Sequence, residues 1–347
     1  MNVEFLKQLL SVPSYVGEEW AMAYTILTHC KDKGYEVKVD TIGNVYVTKG
    51  KLEPGESYPC VLSHIDTVHK WEDITVEEKH GALIAFDTNG KRAGIGGDDK
   101  AGAFICLEIL EKFDKIKAGF FVSEECGCVG SRASLKDFFK DVGYFIQFDS
   151  PCNDIMSYSC DGVQLFEDNG VFITSIIDLL DKHGIKRWQR HPYTDIAVMK
   201  RRYQKSCLNL AAGYFAYHSK NEYVVIADVE NSLNLGIEII EKLGCKDFPF
   251  ENIETKYTWN NWNEPEKQPM RPISYLVTGG HPVLDDLINP KPVYKPVVGS
   301  HVNNTYRTRS LPVGNVPYES RSNVVDNGYT DMNLWAEFDD DKPWYKN

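Results

Sequence analysis

The stretch that decides the fold is Gly96–Phe113, with the sequence GGDDKAGAFICLEILEKF. Its apolar residues recur at helical spacing on one side, and charged residues occupy the other side, which predicts a helix over residues 100–113. Asp98 and Asp99 stand directly before this helix, after two glycines. The following apolar segment predicts a strand over residues 119–123 that ends at Glu124. The order of helix, buried strand and acidic residue is typical of an α/β sheet with its site at one edge.

Helix and strand signals alternate over the rest of the first 250 residues. Further helices are predicted over residues 4–11, 17–33, 127–140, 171–184 and 228–243. Further strands are predicted over residues 35–40, 44–48, 59–63, 143–148 and 206–211, with a hairpin over 75–88. The alternation predicts an α/β fold in which helices sandwich a mixed, mostly parallel sheet. We therefore assign residues 1–250 to one domain.

The composition changes after Phe250. Ten of the 16 prolines and four of the seven tryptophans lie beyond this residue, and no cysteine does. Residues 251–347 are predicted to form an extended C-terminal arm rich in proline and aromatic residues. The alternative is a partly disordered tail, which the aromatic content disfavours because disordered chains are poor in aromatic residues.

Charge and composition exclude several classes of partner. The formal net charge is -12, and such a surface repels nucleic acid and anionic membranes, so neither is an expected partner. No stretch approaches 18 apolar residues, and the first residues lack the pattern of a signal peptide. A cytoplasmic location with reduced thiols is the expectation for the nine cysteines.

Short motifs along the chain carry side chains that bind metals or move protons. In chain order these residues are His64 with Asp66, Asp98 with Asp99, Glu124 with Glu125, Asp149 and His218. Two histidines and three carboxylates are the right inventory for two zinc-like ions that share a bridging carboxylate, and a sixth group is left to move protons. Each motif alone has a plain structural interpretation, such as a hydrogen-bonded core pair for His64 and Asp66 or a helix cap for Asp98 or Asp99. The set in this order favours a metallohydrolase.

This pattern resembles the co-catalytic di-zinc exopeptidases, a superfamily that includes zinc aminopeptidases and peptidase T. The pattern shared by that superfamily is His-x-Asp, then Asp-Asp at a helix start, Glu-Glu, Asp and His. The resemblance implies that Asp98 is the bridging carboxylate, and that the peptide bond between Asp98 and Asp99 is cis. It also implies one metal site completed by His64 and Asp149, a second completed by Glu125 and His218, Glu124 as general base and acid, and Asp66 as the residue that orients His64.

The short interval between Asp149 and His218 predicts a catalytic domain without the lid domain of the peptidase T branch. The lidded relatives use a lid histidine to stabilise the oxyanion, so the donor here must come from elsewhere, and the candidates are Tyr193, His191 and Tyr214. The dipeptide Thr194-Asp195 resembles a motif found near the active site in several branches of the superfamily, and we assign it a supporting role.

The expected function is metal-dependent hydrolysis of a peptide bond by an aminopeptidase that releases N-terminal residues. The expected cofactors are two divalent metal ions, with zinc as the favoured metal. The alternative within hydrolases is a deacylase of N-acyl amino acids or an amidase of cell-wall peptides, so the substrate is a peptide or a small N-acyl compound. A catalytically silent binding scaffold is the alternative of a different class, and the complete ligand set argues against it. The sequence leaves the oligomeric state open.

Overall fold

The computed structural model describes residues 1–70, 73–251 and 284. Its helices are α1 Val3–Leu10, α2 Trp20–Asp32, α3 Gly97–Lys112, α4 Val129–Ala133, α5 Val171–Thr174, α6 Ile177–Lys182, α7 Asp195–Tyr203 and α8 Ile226–Leu243. Its strands are β1 Glu36–Val39, β2 Val45–Lys49, β3 Tyr58–His64, β4 Ile74–Lys79, β5 Ala82–Asp87, β6 Arg92–Ala93, β7 Ile116–Phe121, β8 Val142–Ser150, β9 Ile155–Cys160, β10 Val163–Gln164, β11 Arg187–His191, β12 Cys207–Ala211, β13 Tyr214–Phe215 and β14 Tyr223–Val225.

A mixed sheet of nine strands forms the centre of the described chain. Its strand order is β1-β2-β7-β3-β8-β12-β9-β10, and β11 pairs with β9. The four central strands, β7, β3, β8 and β12, run parallel to one another. Parallel strands joined by helices bring their carboxyl ends to one edge of the sheet, which is where such folds place their sites.

Helices cover the central strands. Every residue of β3, β7 and β8 is buried, as expected for parallel strands that are covered on both faces. Helix α3 packs on β3 and β8 and also meets α1 and α8, whereas α7 packs on the same strands and meets α4. The predicted fold class, a mostly parallel sheet sandwiched by helices, is confirmed.

The described residues also form a smaller antiparallel sheet, which carries one of the motifs. Its order is β13-β14-β5-β4, and β6 pairs with β5. The β4–β5 pair is the hairpin predicted over residues 75–88. The loop between β13 and β14 contains His218, so this sheet determines where that histidine lies.

The predicted helix over residues 127–140 is wrong in its length. Only Val129–Ala133 is helical, because Cys128 has a left-handed backbone and Ser134 an extended one. The predicted helix over 171–184 is divided into α5 and α6 at Ile176, whose φ of -119° departs from helical geometry. Strands β9 and β11 and helix α7 were not predicted. Between Asp149 and His218, residues 155–211 add β9, β10, β11 and β12 to the main sheet instead of a separate lid.

The predicted C-terminal arm lies outside the described residues, except for Glu251 and Leu284. The Leu284 side chain is partly buried against the hydrophobic core. The boundary at residue 250 stays a prediction. Among the described residues, none of the helices is long and apolar enough to span a membrane.

Candidate metal centre

Several elements deliver the motif residues to one edge of the main sheet. His64 is the last residue of β3, Asp149 is the penultimate residue of β8, and Asp98 lies in the first turn of α3. Glu124 and Glu125 follow the end of β7 by a few residues. The peptide bond between Asp98 and Asp99 is cis, as the resemblance implied.

The carboxylate of Asp98 faces two histidines at once. Its Oδ1 atom lies 3.2 Å from Nε2 of His64, and its Oδ2 atom lies 3.3 Å from Nε2 of His218. The two imidazoles therefore approach different oxygens of one carboxylate. This is the arrangement that a carboxylate shared by two ions requires.

Each histidine also meets a second carboxylate. Nε2 of His64 lies 3.4 Å from Oδ1 of Asp149, and Nε2 of His218 lies 2.8 Å from Oε1 of Glu125. The predicted ligand set thus divides into two halves that share Asp98. Nitrogen and oxygen donors in this number suit zinc.

Asp99 is an additional carboxylate at the centre. One ligand atom each from His64, Asp99 and Asp149 lie within 4.8 Å of one another, as do atoms of His64, Asp98 and Glu125. The Oδ2 atom of Asp99 is buried and has no hydrogen-bond partner in the described part of the chain. A buried carboxylate oxygen without a donor is expensive unless a cation compensates it, so the donor set fits metal ions.

Asp66 connects the two halves through its hydrogen bonds. Its Oδ1 accepts from the backbone N–H of Glu124 at 2.9 Å, and its Oδ2 accepts from the backbone N–H of Glu125 at 3.0 Å. Nδ1 of His64 lies 3.3 Å from Oδ1 of Asp66 and 3.1 Å from its carbonyl oxygen. A proton on Nδ1 satisfies these acceptors and leaves Nε2 as the atom that can bind a metal.

The electrostatics of the centre favour positive charge between the carboxylates. Burial raises the pKa of Glu124 well above its usual value and also raises the pKa of Glu125. Burial would lower the pKa of His218, but contacts with Asp98 and Glu125 raise it to about 11. Burial would likewise raise the pKa of Asp98, but its contacts with the two histidines hold it well below the carboxyl range. Burial would likewise lower the pKa of His64, but its contacts with Asp149, Asp66 and Asp98 raise it well above its usual value, as expected where acids converge on a site suited to cations.

Glu222 is a residue whose role the sequence did not reveal. Its side chain is fully buried, and Oε1 accepts from the backbone N–H of Asp98 at 3.0 Å. Oε2 accepts from the backbone N–H of Gly96 at 2.9 Å and lies 2.7 Å from Nε2 of His69. Glu222 therefore joins the start of α3 to the segment that carries His218. In the sequence, the sign of this role was the position of Glu222 four residues after His218, in the same short motif.

Glu19 supports the opposite side of the centre and was also missed. Its Oε1 atom accepts from the backbone N–H of Ser123 at 3.0 Å and from the Ser123 hydroxyl at 2.9 Å. Ser123 has a positive φ of 52°, a conformation that a residue other than glycine adopts at a cost. Glu19 therefore fixes the backbone directly before Glu124.

The three candidate oxyanion donors have different hydrogen-bonding capacity. Nδ1 of His191 lies 2.9 Å from the carbonyl oxygen of Tyr193, so neutral His191 carries its proton on Nδ1 and has none on Nε2 to donate. The hydroxyl of buried Tyr214 lies 3.4 Å from Oδ1 of Asp149. Tyr193 is 42% exposed, and partial burial, with smaller contributions from Glu124 and Glu125, raises the pKa of its phenol to about 12. Tyr193 therefore remains a candidate that a substrate can reach.

Comparison with known proteins places the fold. No protein-family model matches this chain, and no curated protein does either. Among solved structures, it is similar to the aminopeptidase PepT from Bacillus cereus ATCC 10987, with 16% identity, 70% of this chain and 97% of that chain covered, and a TM-score of 0.59. It is also similar to a tripeptidase from Staphylococcus aureus, with 13% identity, coverage of 69% and 96%, and a TM-score of 0.58.

A third similar structure is an aminopeptidase from the archaeon Desulfurococcus kamchatkensis, with 15% identity, coverage of 69% and 94%, and a TM-score of 0.51. The chain therefore has the fold of these aminopeptidases and tripeptidases. The resemblance inferred from the motifs is confirmed at the level of the fold. At these identities the likeness defines the fold class, and the chemistry has to be argued from the site.

Proposed function

We propose that this protein is a di-metal exopeptidase that acts as an aminopeptidase. The observation that carries the proposal is the position of Asp98, whose two oxygens face the Nε2 atoms of His64 and His218 at 3.2 and 3.3 Å. A single histidine–carboxylate contact is common in proteins, but a carboxylate placed between two histidines, each with a further acid, supports a shared bridging ligand.

The residues fit two divalent ions, with zinc as the favoured metal. Asp98 would be shared, His64 and Asp149 would hold one ion, and Glu125 and His218 would hold the other. When bound, such ions polarise a scissile carbonyl and lower the pKa of a water molecule.

Glu124 is proposed as the proton carrier. Its backbone N–H donates to Asp66, and the residue is buried. Within the described residues, the hydrogen bond to its carboxyl group comes from the Cys128 thiol, at 3.7 Å. The carboxylate is therefore free to take a proton from the attacking water and to deliver it to the leaving amine. Asp66 is proposed to keep His64 in the required tautomer.

The proposed substrate is a peptide with a free N-terminus, and the proposed location is the cytoplasm. All nine cysteines are free thiols, of which only Cys126 is exposed and Cys245 partly so, and this supports a reducing compartment. The structural neighbours named aminopeptidase and tripeptidase support an exopeptidase over other hydrolases.

The deciding experiment compares amino-acid p-nitroanilides with N-acetyl amino acids as substrates of the zinc-loaded protein. Cleavage of the anilides that is lost with a chelator and restored by zinc is the expected result. Cleavage of the acetyl compounds alone would identify a deacylase instead, and no cleavage of either class by protein with two bound ions would refute the proposal.

A further inference from the structure

The carboxylate of Asp149 is bound by a chain of buried polar side chains behind the metal centre. The hydroxyl of Thr194 lies 2.5 Å from Oδ2 of Asp149. Nε2 of Gln147 lies 2.6 Å from the Thr194 hydroxyl and 3.1 Å from the same Oδ2 atom. Thr194 and Gln147 have no exposed surface.

The direction of these hydrogen bonds follows from the donor inventory. The Gln147 NH₂ group can only donate, so the Thr194 oxygen accepts from it and the Thr194 proton points to Asp149. The opposite amide orientation would aim Oε1 of Gln147 at a carboxylate and is excluded by repulsion. Oε1 of Gln147 is itself buried without a partner among the described residues, which shows that the carboxylate governs the amide orientation.

The Thr194 hydroxyl could instead cap helix α7, but the structure shows that it does not. The residue is the N-cap of α7, where a threonine oxygen ordinarily accepts from a backbone N–H of the first turn. No such side-chain bond is present. The hydroxyl serves Asp149 rather than the helix.

We propose that Thr194 and Gln147 are positioning residues that hold Asp149 as a ligand through one oxygen only. Oδ2 receives two donors and is satisfied, while Oδ1 is turned toward the centre, 3.4 Å from Nε2 of His64. Asn209 fixes the backbone of Asp149 from behind, because its Oδ1 accepts the Asp149 N–H at 3.0 Å. This inference rests on the proposed metal centre.

The test measures zinc affinity by competition with a chromophoric chelator, together with the absorption spectrum of the Co²⁺-loaded protein. Thr194→Val removes the hydroxyl and keeps the shape, and it should weaken zinc binding about 10–100-fold, the usual effect of losing a hydrogen bond to a metal ligand. Thr194→Ser keeps the hydroxyl and should bind zinc like the wild type. Thr25→Val is the matched control, since the Thr25 hydroxyl bonds only the carbonyl of Ala21 within α2.

The outcomes separate a positioning role from a structural one. In the positioning role, Thr194→Val leaves the Tm of the metal-free protein near that of the wild type, lowers the gain in Tm on adding zinc and changes the Co²⁺ spectrum. Unchanged zinc affinity and an unchanged spectrum in Thr194→Val would overturn the inference, as would weaker binding in Thr25→Val of the same size.

If Thr194→Val does not fold, Gln147→Met tests the same chain of bonds, because it removes the amide donor to both partners. Weaker zinc binding in that variant supports the inference, and wild-type binding overturns it. A wild-type protein that binds no zinc would instead refute the proposed function, so the two failures are distinguishable.

Discussion

Replacement of Glu124 by glutamine tests the proton carrier without changing the shape of the site. The amide keeps the size of the side chain, and the backbone N–H of Glu124 still donates to Asp66 at 2.9 Å. Glu124 is an acid that the two histidines do not contact, because the contacts of His64 and His218 go to Asp66, Asp98, Asp149 and Glu125. We therefore expect Glu124→Gln to bind both ions and to lose most of its activity.

The expected loss of rate in Glu124→Gln follows from the burial of the Glu124 side chain. General acid–base groups contribute about 10²–10⁴-fold to rate, which corresponds to roughly 2.7–5.4 kcal/mol of activation free energy. The side chain of Glu124 belongs to a residue that is only 5% exposed, so bulk water has little access to replace it as the proton acceptor. We expect a loss in kcat toward the upper end of that range, with KM changed little.

The assay measures kcat on an amino-acid p-nitroanilide and the metal content of the same preparation, with Glu18→Gln as the control because Glu18 is an exposed acid. Burial raises the pKa of Glu124 in the metal-free site, and bound cations would lower it again. Only the deprotonated form accepts a proton, so wild-type kcat/KM should fall as the pH drops through the pKa of Glu124 in the metal-loaded enzyme. The residual activity of Glu124→Gln should lack this acid limb. Near-wild-type turnover with two bound ions would refute the assignment.

Four further predictions concern a support of the site, a proposed ligand, the domain boundary and the packing of the fold. Asp66→Asn should reduce zinc affinity and activity about 10–100-fold, because the NH₂ group of the new amide would face one of the two backbone N–H groups that Asp66 accepts from. Titration with a chelator checks this. Asp98→Asn should not retain two ions per chain, which elemental analysis measures. A chain that ends at Phe250, without residues 251–347, should still bind zinc, and soluble protein without zinc affinity would contradict the proposed boundary. Gly130→Ala should lower the free energy of unfolding by about 1–3 kcal/mol in urea titrations, since an added Cβ would lie 2.3 Å from the carbonyl oxygen of Val122.

The predicted site residues converge because the sequence marks strand ends reliably. His64, Glu124 and Asp149 each follow or end a buried apolar run, and parallel strands bring such ends together. The hydrogen-bonded supports could not be predicted in the same way. Thr194 contacts Asp149 over a separation of 45 residues, and Glu222 contacts Asp98 over 124. Such pairs depend on the tertiary arrangement, and a single sequence contains no periodicity that reports it.

The fold was predicted best where periodicity is strong. The hairpin β4–β5 and helix α3 fall where the pattern placed them. Helix α7 was missed because Lys200, Arg201 and Arg202 make its second half polar, so its apolar face is too short to register. The helix predicted over 127–140 failed for the opposite reason, since apolar spacing continued past Ser134 although the backbone there is extended.

The two halves of the centre differ in how they are built, and under the proposed function this difference determines which side a peptide can reach. The His64 side chain is 1% exposed and that of Asp149 is 6% exposed, because both belong to central strands that are covered on both faces. The His218 side chain is 37% exposed, because it lies in the loop between β13 and β14. Strands thus supply the half that is rigidly held, by Asp66 on one side and by Thr194 on the other. Loops supply the accessible half, and we infer that the path of a peptide to the centre runs past His218.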